Sequence, residues 1–569
     1  MRSAIVLTLL AGCAAATPRP AAPHGMSRQQ QPFPSADEVF ALTQRPPPAI
    51  PGTDIRFVDA WTLEGPSGGK EGAPYDDASP WGGLVAETVA SRKGALGASN
   101  ALRCTAHELG LFVLANMGMP AEPVRRHMLG VCGSTLPSAG VETLRADVPP
   151  SMTDAQVFAQ ASSKVRARLA TLAGAHQVLG LSYARKNDRM VVAWVYGTPL
   201  ADIVPSSSTI AADRTAVVRG TNADPSLQLR AVVNQGTFGV AACTPLGEAA
   251  PRFAMRCPIA AGDHAAWIEL SAAAKGAYLG RTIATVLAND GDGSTLGWAS
   301  LAAKKAKPVT SPTEVSSTIL ADLNAIRAVT GASPLVLVPP QSATNAAVAP
   351  HFQSAAMSGD LATWEKIALG VMAGWDVKDA TISSANVSSA LFGAAIDGST
   401  WLEFVLAQPT GRAALLDRGA TRVAIGSLID PTSKSVAALV TTYATFSATD
   451  HAAEIALVEK RIASERVAKG LDPGAKIAGL EGLAAEANRV TLEGKDPIAA
   501  LDAALQDAVT RTQRSMRGTV WAVNDFELVP LPEPLLTKPN MPFAVQVAHR
   551  REKGAAWGEW IVMIVWADV

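Results

Sequence analysis

Two apolar runs, TRVAIGSLI at 421–429 and SVAALVTTYATF at 435–446, are separated only by the polar segment DPTSK. Apolar runs of this length, rich in β-branched residues and split by turn formers, predict a β-hairpin. The same plan recurs twice. HQVLGLSYARKNDRMVVAWVYG fills 176–197 and FAVQVAHRREKGAAWGEWIVMIVW fills 543–566. Each is an apolar strand, a polar turn and a longer apolar strand, and each follows a group of helical patterns. A hairpin with one face under helices buries its core while its turn stays wet. The fold expected is therefore α+β and multidomain. Three α/β units are expected at 83–197, 311–449 and 450–569, with a β domain inserted after the first.

Helical periodicity supports these boundaries. In the first unit Leu102, Ala106, Leu109 and Val113 share one stripe that ends at Gly118 and Pro120; 124–131 is a second short helix. Val157, Ala161, Val165 and Leu169 mark a third helix. In the central unit Ile319, Leu323 and Ile326 line one face and Gly331 ends the helix. Helices are also expected at 342–357 and 363–372, and over SSANVSSALFGAAI (383–396) and STWLEFVLAQ (399–408). The third unit opens on Ile455, Val458 and Ile462, and Asp496-Pro497 supplies an N-cap and a first-turn proline for a later helix. Between 198 and 303 short β-type runs alternate with turn residues, the spacing of a small β-sandwich of immunoglobulin-like size. IRAVTG (326–331) and ERVAKG (465–470) share an Arg followed by Gly four residues on, a further sign of repetition.

The N-terminus reads as a targeting segment. Arg2 provides a positive start and 4–11 a short apolar stretch, too short to span a bilayer. It ends in Leu10, Ala11, Gly12 and Cys13, which resembles a bacterial lipobox. That resemblance implies a signal segment at 1–13, a lipid on Cys13, and attachment to a membrane through acyl chains. Ala14 is not the Asp that retains such proteins at the inner membrane, so the resemblance implies the outer membrane or cell surface. Residues 14–82 are rich in Pro, Gly and Gln and read as a tether, with DIRFVDAW (54–61) as one strand or a docking peptide. Four cysteines remain beyond Cys13, in two local pairs, and an oxidising exported compartment predicts Cys104–Cys132 and Cys243–Cys257. A net charge of −1 offers neither a basic face for nucleic acid nor a polybasic membrane patch.

The central unit carries a more specific pattern. Asn324, Arg327, Gly331 and Leu335 fit N-x-x-R-x-x-x-G-x-x-x-L, and with the following helices and closing hairpin the unit resembles the CAP domain, also called SCP or PR-1-like. The resemblance implies an α-β-α sandwich and a cleft where His and acidic residues can hold a divalent ion. Here the cleft is degenerate. Gln353 falls at the first His position, with His351 two residues away and so on another side of a helix. Glu365 in WEKIA matches the family's GEN-like Glu, Glu403 lies in the region of a second acid, and PTGR keeps Arg412 but puts Gly411 where a second His belongs. These four, Gln353, Glu365, Glu403 and Arg412, form the possible residual cleft. No metal or cofactor is expected, since a zinc or general-base site needs several ligands or a positioned partner.

Other motifs lead nowhere firm. His107-Glu108 would need His at 111 for a metalloprotease helix, and Leu111 stands there; His127 on the next helix is a possible neighbour of His107. NDGDGS (289–294) has Leu301 where a calcium loop needs Glu. Trp557, Trp560 and Trp566 are read as core, with an aromatic binding platform as the alternative. The expected function is a lipid-anchored envelope protein that binds or adheres without catalysis. Its partner would be an envelope protein, a glycan or a hydrophobic small molecule. The alternative is an envelope hydrolase or metal-dependent enzyme built on the remaining acids.

Overall fold

The computed structural model describes residues 33–567, apart from 47–54, 66–76, 93, 173–176, 205–208, 275–276, 292–293, 302–308, 393–397, 433, 447–450, 478–479, 524–525 and 553–554. The signal segment and Cys13 lie outside the described residues, as does much of 14–82. The described part of that stretch is not only a tether. Helix α1, Ala36–Thr43, begins at a capping box between Ser35 and Glu38 and buries Val39 completely. Strands β1 (Ile55–Arg56) and β2 (Ala60–Thr62) follow. All three dock on later parts of the chain.

The first unit contains α2 (Pro80–Ser91), β3 (Gly97–Ala98), α3 (Asn100–Asn116), β4 (Met119–Pro120), α4 (Glu122–Val131), β5 (Gly140–Asp147), α5 (Asp154–Leu172), β6 (Val178–Lys186) and β7 (Arg189–Gly197). Its sheet runs β3-β6-β7-β5. Along β7, Met190, Val192, Trp194 and Tyr196 join the core under α2 and α5, while Val191, Ala193 and Val195 join the core under α3. Both faces are covered, which is why the strand reads as an unbroken apolar run. β1 pairs parallel to β4, and the Cys104–Cys132 bond ties α3 to the end of α4.

Eight strands then form two facing sheets: β8 (Ala201–Ile203), β9 (Thr215–Asn222), β10 (Gln228–Gln235), β11 (Gly239–Ala242), β12 (Thr244–Pro245), β13 (Arg252–Pro258), β14 (Ala265–Ala273) and β15 (Arg281–Asn289). The orders are β8-β9-β13-β12 and β11-β10-β14-β15. Val218 and Phe253 from one sheet meet Val233, Ile268 and Val286 from the other in a single core. Cys243, between β11 and β12, is bonded to Cys257 of β13. Strand β16 (Gly297–Ala299) then pairs with β2, opposing Trp298 and Trp61.

The central unit repeats the plan of the first: α6 (Pro312–Val329), β17 (Val336–Leu337), α7 (Pro339–Ser358), α8 (Leu361–Ala373), β18 (Ile382–Phe392), α9 (Gly398–Leu406), α10 (Pro409–Leu415), β19 (Ala420–Ile429) and β20 (Val436–Thr445). Its sheet order, β17-β19-β20-β18, matches β3-β6-β7-β5 strand for strand. The helix expected over 383–396 is corrected at 383–392 to strand β18, paired with β20 from Ile382↔Thr445 to Phe392↔Val436, and 393–396 lie outside the described residues. Its Ser, Ala and Val residues carry no clear period, and pairing along a central neighbour outweighs weak local preference. Ser389 fixes it there, donating to the Ala438 carbonyl at 3.0 Å.

The third unit holds α11 (Ala452–Ala468), α12 (Glu481–Glu493), α13 (Pro497–Thr512), β21 (Met516–Val523), α14 (Glu533–Thr537), β22 (Phe543–Arg550) and β23 (Glu559–Ala567). The order β21-β23-β22 gains a parallel bridge, Lys476↔Phe543, where the other units have β17 and β3. Along β23, Ile561, Met563 and Val565 face the α12 and α13 side, and Val562, Ile564 and Trp566 face α11.

The Arg–Gly signature has a structural cause. Arg327 is fully buried and donates through Nε to the Ser333 carbonyl (2.8 Å), through Nη1 to Leu415 and Asp417 (2.9 Å each) and through Nη2 to Ala420 (2.8 Å). Arg466 donates likewise to the carbonyls of Asp472, Leu535 and Lys538. Gly331 and Gly470 follow in left-handed conformation at φ 71° and 75°, which favours glycine. Asn324 and Leu335 exchange two hydrogen bonds, Nδ2 to the Leu335 carbonyl at 3.1 Å and the Leu335 N–H to Oδ1 at 2.7 Å. The motif thus closes the first helix onto the hairpin. The first unit keeps the glycine, Gly94 at φ 86°, but has Ala90 in place of the arginine.

Candidate functional site

Of the four positions of the expected cleft, Glu403 and Arg412 join the central unit to the sandwich side of the chain. Glu403, on α9, accepts hydrogen bonds from the Ser300 hydroxyl and the Leu301 N–H, both at 2.6 Å, and so ties down the chain leaving the sandwich. Arg412, on α10, is 5% exposed. Its Nε donates to the Leu406 carbonyl at 2.7 Å, and its Nη1 donates to Gly236 (2.9 Å) and Gly239 (3.2 Å) in the β10–β11 turn. Burial pulls its pKa down to about 10, which leaves it charged near neutral pH. Gln353, buried on α7, donates to the Ser389 hydroxyl, which passes the bond on to Ala438. Glu365 is half-buried on α8. The sandwich lies against the α9–α10 side of the central unit, and Glu403 and Arg412 bond to residues outside that unit.

One carboxylate joins three parts of the chain. Glu269 on β14, 2% exposed, accepts from Arg126 Nη2 of α4 at 2.5 Å and from the Thr410 N–H of α10 at 2.9 Å. The Thr410 hydroxyl donates to the same oxygen. Arg126 also lies over the Trp267 ring, 4.9 Å from its centre.

The His107-Glu108 pair anchors the N-terminal segment. Glu108 is fully buried and accepts from the N–H groups of Gly65 (2.9 Å) and Glu64 (3.3 Å), with burial raising its pKa. His107 Nε2 lies 3.4 Å from the Glu64 carboxylate. His127 is buried on α4 with its pKa pulled down to about 4 by desolvation, so it stays neutral. Among the described residues no group of three or more His, Cys, Asp and Glu could hold a metal ion. Trp557 donates to the Met372 carbonyl at 3.0 Å and packs edge-on against Phe33 and Tyr278. Trp560 packs on Phe446 and Phe526, and Trp566 is 7% exposed in the core.

The first unit carries an open groove that sequence patterns did not disclose. About 380 Å³ of space is lined by Glu142, Thr143 and Leu144 of β5, Lys164, Val165 and Arg168 of α5, and Trp194 of β7. Arg168 forms a two-pronged bond to Glu142, Nε to Oε2 at 2.7 Å and Nη2 to Oε1 at 2.6 Å. The Tyr196 hydroxyl donates to Glu142 Oε1 at 3.1 Å. Burial first, then the Glu142 charge, raises the Tyr196 phenol above its ordinary pKa and keeps it a donor. Glu142 stands on β5, whose sequence GVETLRAD has no unbroken apolar run, and Arg168 stands on the polar side of the α5 stripe.

No protein-family model matches the chain, and no curated protein matches it. Two solved structures show a remote likeness, each to 41% of this chain. One is a cysteine-rich secretory protein from Staphylococcus aureus subsp. aureus Mu50, 10% identical, with 81% of that chain covered and a TM-score of 0.17. The other is an extracellular protein containing a SCP domain from Bacillus anthracis str. Ames, 11% identical, with 83% of that chain covered and a TM-score of 0.17. At that TM-score neither likeness carries an argument about this chain.

Proposed function

We propose that this chain is a lipid-anchored envelope protein of three CAP-like units, cemented around an immunoglobulin-like sandwich, that works by binding or adhesion and not by catalysis. The Asn324–Arg327–Gly331–Leu335 clasp and the helix-covered hairpins support the CAP-like reading. The strand orders β8-β9-β13-β12 and β11-β10-β14-β15 follow the ABED and C′CFG order of immunoglobulin-like sandwiches, and support the second. Two disulfides suit an oxidising compartment, and the lipobox resemblance at Cys13 supplies the anchor. No helix among the described residues is long and apolar enough to cross a membrane. The observation that carries the non-catalytic reading is the use of Glu403 and Arg412 as internal cement. Both are committed to bonds that a reacting group would have to break.

Mass spectrometry of the mature N-terminus tests the anchor. Acylated Cys13, with the Cys13→Ser variant released from the membrane fraction, is the expected result. A mature chain beginning beyond Cys13 without a lipid overturns it.

A further inference from the structure

We propose that the groove between β5 and α5 binds a small planar organic anion, an aromatic carboxylate in chemical class, with its ring on the Arg168 guanidinium and its carboxylate on Lys164. Three of the five N–H groups of that guanidinium are already used: Nε and Nη2 are held by Glu142, and Nη1 donates to Thr171 Oγ1 at 3.3 Å. Its side chain is still 42% exposed, which leaves the flat face open for stacking. A guanidinium is weakly hydrated and stacks on aromatic planes, and here it is held rigid in advance.

Glu142 offsets the charge of Arg168, which leaves Lys164 as the unbalanced cation among the described residues lining the groove. It stands four residues before Arg168 on α5, on the same helix face, and is exposed. Leu144 and Val165 give the groove apolar sides, which suits a ring better than a bare inorganic anion. Trp194, 5% exposed, contributes to the floor of the groove. The volume of about 380 Å³ falls in the range of small-molecule sites. In the central unit the matching side, under α9 and α10, is covered by the sandwich, so the groove is not a feature common to all units.

Calorimetry on the full chain tests this with 2-naphthoate as probe, hexanoate as an anion without a ring, and 2-naphthylmethylamine as a ring with the wrong charge. The expected result is saturable one-to-one binding of 2-naphthoate, with both controls at least about tenfold weaker. Lys164→Glu, a surface change, weakens 2-naphthoate by about tenfold or more. Absence of saturable 2-naphthoate binding overturns the proposal. So does equal binding of the amine, or affinity unchanged in Lys164→Glu. The proposal rests on the binding reading but not on the anchor. Silent calorimetry with an acylated Cys13 removes the groove alone, and naphthoate binding to a chain without lipid removes the anchor alone.

Discussion

Replacing Glu269 with alanine should loosen three parts of the molecule at once. Its carboxylate bonds Arg126 of the first unit at 2.5 Å and the Thr410 N–H of the central unit at 2.9 Å, from a strand of the sandwich. In Glu269→Ala the Arg126 guanidinium, itself 9% exposed, loses its counter-charge. Breaking a buried pair from one side costs about 3–5 kcal/mol. The orphaned Thr410 N–H adds about 1–3 kcal/mol, reduced where water reaches it. A total loss of about 4 kcal/mol or more is expected. Glu269→Gln keeps the shape and one acceptor, so about half that loss is expected. Urea unfolding with the disulfides intact measures it, read by Trp fluorescence and by protease cleavage at the junction, because a chain of several domains need not unfold in one step. Arg126→Met should cost far less in the Glu269→Ala background than alone, since the two share one interaction. A Glu269→Ala protein within about 1 kcal/mol of the parent, or strictly additive losses, refutes the junction as described.

Two further outcomes follow from buried groups. His127 has its pKa pulled down to about 4 by burial, below the roughly 6.5 of an unfolded histidine. Its contribution is therefore present above about pH 6.5 and is lost as pH falls toward 4, by up to about 3 kcal/mol; unfolding followed from pH 7 to 4 should show this slope, and His127→Gln should remove that part of it. Gly426 and Gly180 let the hairpins of the central and first units touch a helix backbone. A methyl group at Gly426 would lie 2.1 Å from the Ala346 nitrogen, and one at Gly180 2.2 Å from the Arg103 nitrogen. Alanine at either should cost about 3 kcal/mol or more in thermal unfolding, since backbone cannot give way as a flexible side chain can.

The hairpins were legible because their long strands are buried on both faces, so burial itself writes the apolar runs at 190–197, 436–443 and 561–567. The Asn324–Arg327–Gly331–Leu335 pattern was legible because each residue has a local task within the clasp. β18 was not, because its Ser and Ala residues are neutral until β20 lies beside them. The roles of Glu403 and Arg412 were also hidden. Their partners, Ser300 and Gly236, belong to the sandwich side of the chain more than a hundred residues earlier, and no spacing rule reaches that far. The groove escaped for a similar reason, since Glu142 and Arg168 meet only after α5 folds back over β5. Residues 14–82 read as a tether by their prolines, yet Val39 is buried against the central unit, while Trp61, in the run expected as a strand or docking peptide, packs on Phe112.

The claim that Glu403 and Arg412 serve as cement between the central unit and the sandwich is tested most directly by hydrogen–deuterium exchange on Arg412→Met beside the parent chain. The account predicts that amides at 236–242 and 406–416 lose protection together, because one guanidinium holds both. A change confined to 406–416, with 236–242 exchanging as in the parent, would contradict it.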